Sequence, residues 1–271
     1  MLNLVGQHCE RLAKSNVDGL MLSWSLGGYP SLNLELAKAI SEQQTPNAAA
    51  AILALAKLHY GERAAPRVCS SWKKFSDAFT EYPYSGAVLY NAPQQLGPAN
   101  LLYLKPTGYA ASMVGIPYDD LNRWRGPYPP EVFANQFQKV ADGWANGMAD
   151  LEAAQAEIPD ELKPAAAADL RVARAAQLHF ASVSNQARFV MARDELSKAL
   201  GGEVDHLCDN MIGLLNDEID LARKLFELSA VDSRLGYEAS NHYFYVPLDL
   251  VEKVINCEYL KQQLIAERAK Q

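Results

Sequence analysis

The chain has 271 residues, a formal net charge of −7, and hydrophobic residues at 49% of the total. That apolar share is enough for a sizeable core and excludes a disordered chain. No stripe of Lys and Arg runs along the sequence to hold a phosphate backbone, so nucleic-acid binding is not expected.

Residues 2–15 place Leu2, Val5, Cys9, Leu12 and Ala13 at helical spacing, with Asn16 as a stop. Asn3 interrupts the apolar run Met1–Val5 and no charged segment precedes it, so these residues do not read as a signal peptide. Val17–Ser25 is a continuous apolar run ending at a glycine turn, which predicts a buried parallel strand. Ser31-Leu32-Asn33 opens a helix with Leu34, Ala37 and Ile40 on one face. Thr45-Pro46 reads as a cap and first helical residue for an alanine-rich helix to about Tyr60.

A short helix is expected at Trp72–Phe79, and an apolar run at Gly86–Tyr90. The segment from Asn91 to Glu131 is long, irregular and rich in proline, glycine and aromatic residues. Its aromatic content argues that it packs against something. Beyond Pro130 the spacing turns helical: Phe133, Phe137, Val140, Trp144, Met148 and Leu151 form the first stripe. A second helix is expected over Ala165–Leu200, ended by Gly201-Gly202. A third carries Val204, Leu207, Met211, Leu214, Leu221, Ala222 and Leu225, and a fourth opens at Pro247 and carries Leu250, Val254, Tyr259 and Leu264. The expected fold class is therefore mainly α: a short α/β remnant over 1–60, an irregular aromatic region over 61–130, and an antiparallel helical bundle over 131–271.

Cys9, Cys69, Cys208 and Cys257 stand far apart and lack the close pairing that a metal finger needs. They read as single buried thiols, and a reducing, cytoplasmic setting is the default. No apolar stretch is long enough to span a bilayer, so no membrane partner is expected.

Four blocks carry a resemblance: VDGLMLSWSLGGYPSLNLELA, YNAPQQLGPANLLY, PYDDLNRWRGPYPPEVFANQF and DSRLGYEASNHYFYVPLDLVEKVINCEYL. As a set they resemble the C-terminal part of large bacterial glycoside-hydrolase-like proteins. Those have a (β/α)8 barrel of broadly hexosaminidase or glucuronidase type, followed by a helical domain. The resemblance implies that Val17–Ser25 is the last barrel strand, with earlier strands lacking from this chain. A parallel strand needs a crossover partner that residues 1–16 do not supply. The uncovered edge would then invite self-association into a homo-oligomer, with Gly86–Tyr90 and Ala111–Ile116 the alternative strand partners within the chain.

Several residues are candidates for a carbohydrate ligand. Trp24 ends the expected strand, where barrel sites lie, and an indole stacks on the C–H face of a sugar; Tyr29 follows in the adjacent turn. The alternative for Trp24 is a core position beneath the next helix. Asp119 and Asp120, with Arg125 close behind, form the densest carboxylate cluster of the irregular region. Adjacent carboxylates diverge and cannot span a scissile bond together, so they suit sugar hydroxyls rather than paired acid–base work; the alternative is a turn with an Asp cap.

Between the last two helices, Asp232, Arg234, Glu238, Asn241, His242 and Tyr243 crowd one connection. Glu238, Asn241 and His242 suit hydrogen bonds to a glycan. An Asp–Arg and Glu–Asn network pinning the last helix explains the same density. No nucleophile elbow accompanies His242, and the spacing singles out no metal site. Asn91, Gln94, Gln95 and Asn100 offer amides for sugar hydroxyls or for loop backbone. No phosphate-binding loop is present, and no cofactor is expected. The function expected from the resemblance is a sugar-contacting portion of a carbohydrate-active protein, inactive alone. The acid and base are not identified within the chain. A non-catalytic helical module binding a glycan or a partner protein is the second expectation.

Overall fold

The computed structural model describes residues 1–15, 17–21, 31–43, 46–111, 115–238 and 242–268, with the side chains of Glu238 and His242 outside that description. The chain is mainly helical. In order come α1 (Leu2–Lys14), α2 (Leu32–Ser41), α3 (Ala48–Phe79), α4 (Gly86–Leu89), α5 (Ala92–Leu96) and a 3-10 turn at Gly97–Ala99. There follow α6 (Leu121–Trp124), α7 (Pro130–Ala154), α8 (Lys163–Leu196), α9 (Gly202–Ser229) and α10 (Pro247–Arg268). Among the described residues, the strands are β1 (Tyr237–Glu238) and β2 (His242–Tyr243), which pair as a two-stranded ribbon. No helix among these residues is long and apolar enough to cross a membrane.

The chain divides into two compact units. The first comprises Met1–Glu81, Asp142–Arg174 and Glu238–His242. Here α1 lies close against α2 and α3 because Gly6 has no side chain. A Cβ there would stand 3.1 Å from the Cβ of Ala48 and 3.3 Å from Leu36 Cδ2. The Asn47 side chain accepts from Ala50 N at 3.0 Å, so α3 begins just beyond the expected Thr45-Pro46 start; Thr45 lies outside the described residues.

The helix expected to end near Tyr60 breaks at Gly61, where φ is 82° and ψ 161°. It then resumes and runs to Phe79 as one element, in place of a separate helix at Trp72. A Cβ at Gly61 would sit 2.7 Å from Pro159 Cδ, so conformation and space both require glycine. Further along α3, Phe75 stacks on Trp144 of α7 with centroids 4.4 Å apart. The Trp144 indole donates to Ala173 O at 2.9 Å. Tyr60 donates to Asp169 Oδ2 at 2.7 Å, and burial raises its hydroxyl pKa.

The expected strand at Val17–Ser25 is corrected over its first five residues. Residues 17–21 form no strand, and Val17, Leu20 and Met21 are 46%, 39% and 94% exposed. A strand requires a neighbouring ladder, and among the described residues none pairs with 17–21; positions 22–25 lie outside the described residues. The expected self-association through a strand edge has no strand to work with over 17–21.

The second unit comprises Tyr82–Ala141, Ala175–Tyr237 and Tyr243–Gln271. One part of its core gathers Val88, Leu121, Trp124, Phe133, Phe137, Val183 and Val190. Burying each phenylalanine contributes about 1.5–3 kcal/mol. A second cluster joins Phe189 of α8, Leu207, Met211 and Leu215 of α9, and Cys257, Leu260 and Leu264 of α10. Arg268, at the end of α10, bonds Asp205 and Asp209 near the start of α9, so the two helices run antiparallel.

Gly86–Tyr90, considered as a strand partner, is instead helical over α4. Ser85 Oγ accepts from Val88 N at 3.2 Å and caps it, a signal that outweighs the short apolar run. Of Ala111–Ile116, the other candidate partner, positions 112–114 lie outside the described residues; Ala111 N donates to Ile116 O at 2.8 Å beside the Ala110–Pro117 bridge. The region after Asn91 is packed, with Leu102, Ile116 and Trp124 buried, but it contains α5, the 3-10 turn and α6. Gly201-Gly202 does not end α8, which stops at Leu196. Gly201, at φ 59°, precedes α9 and Gly202 is its first residue.

Candidate functional site

Of the sequence-predicted residues, Asp119 and Asp120 share a turn but not a role. Asp120 Oδ1 accepts from Asn122 N at 3.0 Å and Arg123 N at 3.3 Å, capping α6. Asp119 is buried and takes four donors. Thr107 gives its N and its hydroxyl, both at 2.8 Å. Arg193 gives Nη1 to Oδ2 at 3.2 Å and Nη2 to the Asp119 carbonyl at 3.3 Å. Arg125 meets Asn122 Oδ1 and the Tyr128 carbonyl, not a carboxylate. All three side chains hold this segment's own backbone and the α8 guanidinium.

The amides of the preceding segment are also committed within the fold. Asn91 caps α5 through Gln94 N at 3.0 Å and donates to Val88 O at 2.7 Å. Gln94 bonds the Tyr82 hydroxyl, and Gln95 donates to Leu89 O at 3.0 Å. Asn100 donates to Tyr118 O at 3.0 Å and to Gln186 Oε1 at 2.8 Å.

Asn100 leads into a buried polar centre in the second unit that sequence reasoning missed. Glu218 of α9 and Lys253 of α10 pair at 2.7 Å with neither side chain exposed. Ser182 Oγ lies 3.0 Å from both Glu218 oxygens, and Asn185 Nδ2 donates to Oε1 at 3.0 Å. Lys253 also donates to Asn100 O, and Gln186 joins Ser182 to the Gly97 carbonyl. The sequence carried a signal: Glu218 and Lys253 occupy the inward phase of their helices, one acid and one base. A fully bonded buried pair of this kind fixes how helices dock.

His179 lies half-buried beside this centre's loop. Its Nε2 lies 3.0 Å from the Tyr245 hydroxyl, and burial lowers its pKa to about 4, against an opposing hydrogen bond with the Gln94 backbone. Gly97, at φ 54°, passes so close that a Cβ would stand 2.6 Å from the imidazole.

In the connection before α10, Arg234 holds buried Asp232 in a two-point contact, Nε to Oδ1 at 2.6 Å and Nη2 to Oδ2 at 2.5 Å. This is the Asp–Arg half of the expected network. Asn241 and the side chains of Glu238 and His242 lie outside the described residues, as do Trp24 and Tyr29. Tyr243, one of the residues that crowd this connection, forms an exposed pair here with Tyr237, which the sequence did not single out.

In the first unit, a cavity of about 580 Å³ is lined by Cys9, Val17, Leu20, Leu34, Ile40 and neighbouring residues. Burial raises the Cys9 thiol pKa. Among the described residues, no three His, Cys, Asp or Glu side chains gather to hold a metal ion. A scan against protein-family models found no match, and searches among curated proteins and solved structures returned no significant similarity.

Proposed function

We propose that the chain is a non-catalytic portion of a carbohydrate-active, glycoside-hydrolase-like protein, contributing sugar contacts rather than the acid and base. The observation that carries this reading is the exposed apolar run at Val17, Leu20 and Met21, beside the 580 Å³ cavity. A run that reads as a buried strand but lies open to solvent calls for a cover. In this reading the cover is the rest of a barrel. Trp24, Tyr29 and the connection before α10 contact sugar. Asp119, Asp120 and Arg125 support the backbone through the bonds described above.

The test is binding of hexosamine- and hexuronate-containing oligosaccharides to the chain, followed by titration of Trp24→Ala. The reading expects millimolar or tighter binding that weakens at least tenfold in the variant. No binding to any of these saccharides, or unchanged affinity in Trp24→Ala, rejects the assignment.

A second reading is a helical module that binds a partner protein. The favouring observation is on α10, where Leu248, Ile255, Tyr259 and Ile265 are exposed, beside a groove of about 400 Å³ lined by Phe226, Val251 and Val254. Absence of saccharide binding gives this reading the lead.

A further inference from the structure

We propose that Tyr237 and Tyr243 form an aromatic platform for one ring of a saccharide. The proposal rests on the carbohydrate reading and assigns a site to it. The two residues stand opposite each other in the ribbon, with ring centroids 5.2 Å apart and planes at 64°. Each is 48% exposed, so the pair forms an open aromatic corner rather than part of the core.

The backbone of the corner and the Tyr243 ring are held in place. Tyr243 donates its hydroxyl to Ser233 O at 3.0 Å, which fixes its ring at the far end. Leu235 and Tyr245, two residues beyond each tyrosine, are buried in the core and anchor both arms. Phe244 N donates to Gly236 O at 2.8 Å. Gly236 has φ 82°, and a Cβ there would lie 2.4 Å from Tyr245 O. A contact surface with its backbone and one ring already held loses less freedom on binding.

The chemistry favours a sugar over other occupants. The electron-rich ring faces attract the polarised C–H face of a pyranose. The Tyr237 hydroxyl lies on the same connection and offers a hydrogen bond to its hydroxyls. Two half-exposed rings fall far short of the roughly 800 Å² per partner that a stable protein interface buries. A small ligand matches their size.

The experiment titrates the intact chain, Tyr237→Ala, Tyr243→Ala and Tyr237→Phe with the same hexosamine- and hexuronate-containing oligosaccharides. Tyr84→Ala serves as a control, because Tyr84 is also exposed and lies elsewhere in the sequence. The expected result is a loss of affinity of tenfold or more in both ribbon alanine variants. Tyr237→Phe, which keeps the ring, should lose less than threefold, and Tyr84→Ala should not change. If Tyr243→Ala fails to fold for want of its Ser233 bond, the Tyr237 pair of variants decides alone. Binding by the wild type with unchanged affinity in Tyr237→Ala overturns the platform and leaves the carbohydrate reading standing. No binding by the wild type overturns both.

Discussion

Glu218 and Lys253 meet at 2.7 Å with no solvent on either side chain, joining α9 to α10 through opposite charges. Desolvating two ions costs several kcal/mol each, and their attraction offsets this only when the remaining donors and acceptors are filled. Ser182, Asn185 and the Asn100 carbonyl fill them. The network therefore draws α8 and the end of the 3-10 turn onto the same point as the two helices.

Removing one charge should be worse than removing both. Glu218→Gln or Lys253→Met leaves a buried ion uncompensated, with an expected loss of about 3–5 kcal/mol. The double variant should lose clearly less than the sum of the two singles. Urea denaturation of the four proteins measures the coupling. Additive losses would mean that the charges do not stabilise each other.

His179 should make stability depend on pH in a defined window. Its folded pKa, lowered by burial to about 4, lies below the ordinary value of 6.5. Between these values the unfolded chain binds a proton that the folded chain does not, so stability rises with pH and falls on acidification. The slope is about 1.4 kcal/mol per pH unit. Denaturation at pH 6.5 and pH 5 should therefore show a His179-dependent loss of about 1.5 kcal/mol, because the unfolded imidazole is already half protonated at pH 6.5. His179→Gln removes that part of the pH dependence. An identical pH profile in the variant would show that the imidazole does not titrate this way.

Gly97 and His179 should be coupled. Gly97→Ala forces a methyl to 2.6 Å from the imidazole at a φ of 54° and should cost about 1–3 kcal/mol. His179→Ala in the same chain opens space and should recover the steric part while leaving the backbone part. A thermal-melt cycle separates them. No recovery would place the whole cost in the backbone.

Much of the helical architecture was legible because it rests on apolar periodicity. Phe133, Phe137, Val140 and Trp144 all lie inward on α7, and Pro247 opens α10 as its position suggests. On α10, Leu250 and Leu264 are buried as expected and Val254 packs half-buried against the core, whereas Tyr259, counted with them, is exposed. The buried line is Leu250, Lys253, Cys257, Leu260 and Leu264, with a lysine inside it. A periodic scan that admits only apolar residues passes over a charged one whose partner sits on another helix. The four-residue run Gly86–Leu89 was misread because a stretch that short has no usable period, and the Ser85 cap decided it. The Asp120 cap was legible from composition. The burial of Asp119 was not, because its partner Arg193 is far away in sequence and has no local signature.

That separation of Asp119 from Asp120 is testable in one protein. Asp119→Ala leaves the Arg193 guanidinium buried, with Asp194 still on its exposed side. The expected loss lies near the lower end of about 3–5 kcal/mol. Asp120→Ala removes only the α6 cap and should cost about 1 kcal/mol. Neither variant should change oligosaccharide affinity while it remains folded, because both carboxylates are committed within the fold. Denaturation midpoints measured beside saccharide titrations check both statements. A stable Asp119→Ala protein with weakened saccharide binding would return this carboxylate to the ligand site.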